Sequence, residues 1–146
     1  HELYERLNEY CLKHKEKIEV NKKEKIKKSL TFLKNKAKTL EDIYNNSKYI
    51  LSDEVIFVKK DLELIDENAK KIIIDFKDEI SKKEELNKQI LEPIINNLIK
   101  KHETNFKGVG QPLRIVLTGS KYGPGIYDIM TSLGKINIEK RLSKVI

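Results

Sequence analysis

The sequence predicts an all-α protein, and three observations predict it. Apolar residues recur at helical spacing in one segment after another, and capping residues stand at the start of several of these segments. The one run with strand character, Val55-Ile56-Phe57-Val58, has no convincing second strand to pair with. A length of 146 residues allows one ordinary domain or two small ones. Hydrophobic residues at 38% and charged residues at 36% put the chain at the polar end of globular proteins, with isoleucine and leucine supplying most of the core.

Residues 2 to 15 place Leu3, Leu7, Tyr10 and Cys11 on one helical face, with glutamates early and lysines late, as the helix dipole favours. Asn21 is placed to cap a second helix, roughly 22 to 36, with Ile26, Leu30 and Leu33 as its stripe. Thr39 is placed to cap a short helix through Leu40, Ile43 and Tyr44, and Ser47 to Leu51 are expected to pack back on this unit. Residues 52 to 65 read as an extended or irregular connector. Asp66 then caps a helix with Ala69, Ile72, Ile73, Phe76 and Ile80 inward. Residues 86 to 103 form a second long helix that either kinks at Pro93 or begins there.

Turn signals concentrate in residues 111 to 126, which hold two of the three prolines, three of the six glycines and one of the three arginines. Lys107 to Gly110 read as a loop, and Pro112 suits the first turn of a short helix ending at Gly119. Taken alone, Ile115-Val116-Leu117 also fits a strand. Gly123-Pro124-Gly125 reads as a tight loop and a restart. Ile126, Ile129, Met130 and Leu133 make a stripe ending at Gly134, and Ile138, Leu142 and Val145 make the last one.

The net charge is +7, but 27 of the 30 basic residues are lysines in a chain rich in Lys, Ile and Asn, a composition that A/T-rich codons favour. Distribution says more than the total. Residues 13 to 38 have eleven lysines against three glutamates, residues 61 to 99 six lysines against ten acids, and residues 100 to 146 nine basic residues against three acids. Two basic ends around an acidic middle suit an anion-binding protein, and a lysine-faced module for an acidic protein or lipid surface is the rival reading. A lone cysteine, Cys11, fits a small buried residue in a reducing cytoplasm. No apolar run approaches a membrane span.

Catalysis finds little support. His1, His14 and His102 are scattered in polar surroundings without metal-ligand spacing, and there is no P-loop and no GxSxG. Binding finds more. A Gly-Pro-Gly turn offers backbone donors and acceptors to the edge of an unstacked base, and the planar guanidinium of Arg114 is able to stack on a base and donate to it at once. Tyr122 and Tyr127 are further stackers or plain packing residues, and Arg114 alternatively pairs with Asp128 inside the fold.

Pro112-Leu113-Arg114, Leu117-Thr118-Gly119, Pro124-Gly125-Ile126, Leu133-Gly134 and Arg141-Leu142, in that order and spacing, resemble the C-terminal end of bacterial-type glutamyl-tRNA synthetases. Thr39-Leu40 and Tyr49-Ile50-Leu51 extend the resemblance over nearly the whole chain. It implies two consecutive small helical bundles, here 1–60 and 61–146, that bind the anticodon arm, and it favours helix over strand at 114 to 118. It also implies that Arg114, Gly123, Pro124 and Ile126 meet the first two anticodon bases, Gly125 belonging to the same turn, and that Lys36, or Lys34 or Lys38 in a shifted register, meets the third. The family splits at that last position between arginine and glutamine, the latter in enzymes that also charge glutamine tRNA, and lysine matches neither. The chain, beginning at His1 inside a helix, is read as a cytoplasmic, monomeric, non-catalytic fragment without a cofactor of its own. Its parent is expected to be an ATP-dependent ligase whose partner is tRNA.

Overall fold

The computed structural model describes residues 2–35 and 37–145, so Lys36 lies outside the described residues. Every regular element among them is helical, and no strand occurs. The chain forms two compact units, His1–Glu54 and Val55–Ile146. The division falls a few residues ahead of the 60/61 boundary read from the sequence. Within the second unit the Val58 N–H donates to the Gly119 carbonyl at 2.8 Å, which ties the 55–58 segment there.

In the first unit α1 (Glu2–Lys13) and α2 (Lys23–Leu33) both pack on α3 (Leu40–Leu51). The core is Tyr4, Leu7 and Cys11 from α1, Ile26, Leu30 and Leu33 from α2, and Ile43, Tyr49 and Ile50 from α3. Side chains of this size each stabilise by about 1.5–3 kcal/mol when fully buried. Burial also pushes the Cys11 thiol up to about 11, so it packs as an apolar group. Thr39 caps α3 as expected, in a full capping box. Its hydroxyl accepts from the Asp42 N–H at 3.1 Å, and the Asp42 carboxylate accepts from the Thr39 N–H at 3.2 Å. The helix so started runs on through Ser47 to Leu51 rather than ending near Tyr44.

Asn21 is not a cap. It lies in a 3₁₀ turn, Val20–Lys22, and α2 starts at Lys23 with no side-chain cap. What fixes this turn is Lys22, buried, whose Nζ donates to the Leu51 carbonyl at 2.8 Å and pairs with Asp53 at 3.1 Å. Leu51 ends α3, where carbonyls lack helical partners, so an inward ammonium there meets a real demand. His14 stacks on Tyr10 with ring centroids 4.3 Å apart and lies 5.6 Å from Tyr44.

The second unit is α4 (Lys59–Leu62), α5 (Glu67–Ser81), α6 (Lys88–Lys101), α7 (Phe106–Thr118) and α8 (Ile126–Ser143). Asp66 caps α5 by accepting from the Ala69 N–H at 2.8 Å, and the five apolar residues expected inward are all buried. Asn87 caps α6, which runs through an exposed Pro93 and does not begin there. His102 is not an isolated surface histidine. It pairs with Asp75 of α5 at 2.8 Å beside Lys101 at 2.9 Å, and these two, Lys101 first, hold the Asp75 carboxyl below its usual value.

The largest departure is at α7. It begins at Phe106, not Pro112, so residues 107 to 110 are helical rather than a loop. Asn105 caps it, accepting from the Gly108 N–H at 2.8 Å. Val109, Pro112, Leu113, Val116 and Leu117 are all buried, a stripe at offsets zero, three, four, seven and eight that spans the supposed loop. That stripe outweighs two glycines and a proline. Gly119 then ends the helix in the left-handed conformation, φ 90°, and Gly134 breaks α8 at φ 79° as its stripe predicts.

Candidate nucleic-acid interface

Arg114 sits on the partly exposed side of α7, opposite the stripe that holds the helix in the core. Its Nη1 donates to the Lys121 carbonyl at 3.3 Å, while its Nε is buried with no hydrogen-bond partner. No carboxylate pairs with it among the described residues, so the alternative Arg114–Asp128 pair does not form. Burial without such a partner holds the guanidinium below the ordinary arginine value. An incompletely satisfied cation of this kind gains most from a ligand that brings an acceptor.

Arg114 lines a cleft of about 320 Å³ with Phe106, Lys107, Gly110, Gln111, Lys121 and Tyr122. That volume is at the small end of the ligand-site range of about 300–1,000 Å³. Phe106, Gly110 and Arg114 follow at intervals of four along α7, one above the other. A Cβ at Gly110 would stand 3.7 Å from the Phe106 ring, so the glycine keeps the floor between the ring and the guanidinium low. Tyr122, 74% exposed, stands across from them with the Lys121 ammonium 5.3 Å from its ring centroid. The cleft thus offers aromatic faces, a planar cation and lysines, the combination that holds an unstacked base and its phosphate.

The loop that forms one wall is held from below. The Asp61 carboxylate, buried, accepts from the Lys121 N–H at 3.0 Å and from the Ser120 hydroxyl at 3.4 Å. Behind it, a Cβ on Gly119 would stand 2.1 Å from the Ile56 carbonyl oxygen, so only glycine fits.

The residues expected to read bases are not all gathered here. Arg114 lines the cleft; Gly123, Pro124 and Gly125 continue the chain from its Tyr122 wall without lining it. Gly123 is exposed at φ 138°, with open space where a Cβ would be, and Gly125 precedes α8 without a side-chain cap. Ile126 is a core residue at 1% exposure, so its side chain reaches no ligand and only its backbone is near the turn. Tyr127 is half-buried against Phe106, with ring centroids 5.9 Å apart. Phe106 and Asp61 were absent from the expected set. Extending the α7 stripe back to Asn105 would have put Phe106 in line with Arg114; nothing in the sequence links Asp61 to a loop about sixty residues away. Among the described residues no cluster of histidine, cysteine and carboxylate side chains is placed to hold a metal ion, and no helix is long and apolar enough to cross a membrane.

Comparison with known proteins finds relatives that cover most of the chain. The chain is 63% identical over 145 residues to the glutamate–tRNA ligase of Pelagibacter ubique (strain HTCC1062), covering 99% of this chain and 31% of that protein. It is 29% identical over 121 residues to glutamate–tRNA ligase 1 of Orientia tsutsugamushi (strain Boryong), covering 82% of this chain and 25% of that one. It therefore spans about a third or less of the length of these relatives. A crystal structure of a glutamate tRNA ligase from Elizabethkingia meningosepticum CCUG26117, in complex with its amino acid, superposes with a TM-score of 0.75. It does so at 22% identity over 97% of this chain and 28% of that one, a likeness of fold. The family model described as an anticodon binding domain matches residues 2–146, and the chain belongs to that family.

Proposed function

We propose that this chain binds the anticodon arm of a glutamate-accepting tRNA, as the C-terminal part of a cytoplasmic glutamate–tRNA ligase whose ATP-dependent chemistry is done elsewhere in the parent. The observation that supports it most is Arg114, a half-buried guanidinium with a free Nε, in a cleft walled by Phe106 and Tyr122. An anticodon base entering there stacks on an aromatic face and accepts from the guanidinium. Gly123, Pro124 and Gly125 contribute backbone groups beside it, as does the Ile126 N–H at the uncapped start of α8. Lys23, Lys25, Lys27 and Lys28, exposed or half-buried on α2, supply the sequence-independent phosphate term, while Lys22 is turned inward. Lys36 is assigned to the third anticodon base on the resemblance alone.

The test is a mobility-shift titration of the chain with glutamate tRNA, glutamine tRNA and a random RNA of equal length. Glutamate tRNA is expected to bind at least about tenfold tighter than random RNA, a difference of about 1.4 kcal/mol. Equal affinity for all three would replace this reading with a basic surface that takes any polyanion. The glutamine tRNA arm reports whether Lys36 leaves the two acceptors distinguishable.

A further inference from the structure

We propose that Asp61 is the positioning residue for Arg114, acting through Ser120 and the peptide between Lys121 and Tyr122. The inference rests on Arg114 being the base-contacting group. A carboxylate at 6% exposure is costly to desolvate unless donors are aimed at it. Two donors are, both from the loop wall of the cleft: the Ser120 hydroxyl and the Lys121 N–H, on the same Oδ2.

The consequence runs along one chain of hydrogen bonds. Ser120 has a single hydroxyl proton, and giving it to Asp61 turns its lone pairs to the Tyr122 N–H, which donates to Ser120 Oγ at 3.1 Å. That N–H and the Lys121 carbonyl belong to the same planar peptide, so fixing one fixes the other. The Lys121 carbonyl is the acceptor that holds Arg114 Nη1. Arg114 is thereby aimed by a residue that lies about fifty positions earlier, on α4, and does not line the cleft. Buried networks of this kind act as a unit, and removing one member loosens the rest.

The experiment compares binding of glutamate tRNA with that of the same tRNA altered at the first two anticodon bases. It uses the full chain as wild type, Asp61→Ala, Asp61→Asn, Arg114→Ala and the Asp61→Ala/Arg114→Ala double variant, each checked for native helicity. Asp61→Ala is expected to lower discrimination about tenfold, Asp61→Asn to retain it within about twofold because its amide oxygen still accepts, and the double variant to lose no more than Arg114→Ala alone. Folded Asp61→Ala that discriminates like wild type while Arg114→Ala does not would overturn the inference and leave the reading of Arg114 intact. Losses that simply add would also overturn it, since Asp61 would then act by another route. If Arg114→Ala itself discriminates like wild type, the reading of the site falls and this inference with it. Should Asp61→Ala fail to fold, Ser120→Ala decides: it breaks the same chain at the next link, with an expected loss of about threefold, and unchanged discrimination refutes the proposal.

Discussion

Two arginines of the second unit, and two of its positive-φ glycines, stand in opposite settings. Arg141 is buried, and its Nη1 donates to the Leu117 carbonyl at 2.6 Å, near the end of α7 where carbonyls lack helical partners. Arg114, on α7 itself, is half-exposed with a free Nε over a cleft. Gly119 is pressed against the Ile56 backbone, while Gly123 faces open space. One member of each pair finishes the framework; the other is left over at the rim. A residue type that is scarce in a chain therefore does not announce a ligand contact by its scarcity. The state of its hydrogen bonds separates the two roles.

Substitutions at these four positions test that contrast. The largest effect is expected at Gly119→Ala, which adds strain at φ 90° to a backbone clash and should destabilise by about 3 kcal/mol in urea unfolding. Gly123→Ala, strained but not obstructed, should cost about 1 kcal/mol. Equal costs at the two would mean that the Ile56 segment yields. Arg141→Ala should follow at about 2 kcal/mol, the worth of a charged hydrogen bond plus a stranded carbonyl, with any loss of RNA binding tracking unfolding. Arg114→Ala should move stability least, within about 0.5 kcal/mol, yet weaken cognate tRNA by roughly 1–3 kcal/mol. Arg114→Lys should recover little of that binding, because the charge survives and the planar fork does not. An Arg114→Ala protein that loses stability as Arg141→Ala does would merge the two classes.

The sequence made local features legible and left distant ones hidden. Thr39 and Asp66 as caps, Gly119 as a terminator and the Gly134 break all follow from a residue and its near neighbours, and all four occur. At α7, two glycines that read as a loop and a proline that suits a first turn point to a start at Pro112, while the buried stripe that carries the helix back to Phe106 begins at Val109. Asn21 has the look of a cap, but Lys22 beside it, a residue type usually exposed, turns inward to Leu51 and the turn is 3₁₀. Of the candidate site, Arg114 was visible as a rare planar cation near turns. Ile126 was not separable from its turn until its burial was seen, and Asp61 has no sequence mark because its role depends on a fold that brings α4 under the loop.

The break at Gly134 has a mechanical side. An uninterrupted helix of 18 residues would be a rod about 27 Å long, and a push at one end would be felt at the other. Here the rod is jointed, and the joint is pinned: the Asn137 side-chain amide donates to the Leu133 carbonyl at 2.9 Å, close to where the backbone ladder is interrupted. The half that begins at the Gly-Pro-Gly turn and the half that places Arg141 are thus two levers on one pivot. A straight helix would carry the direction of one half into the other; the break lets the two halves take different directions, one for the turn and one for the cap on α7.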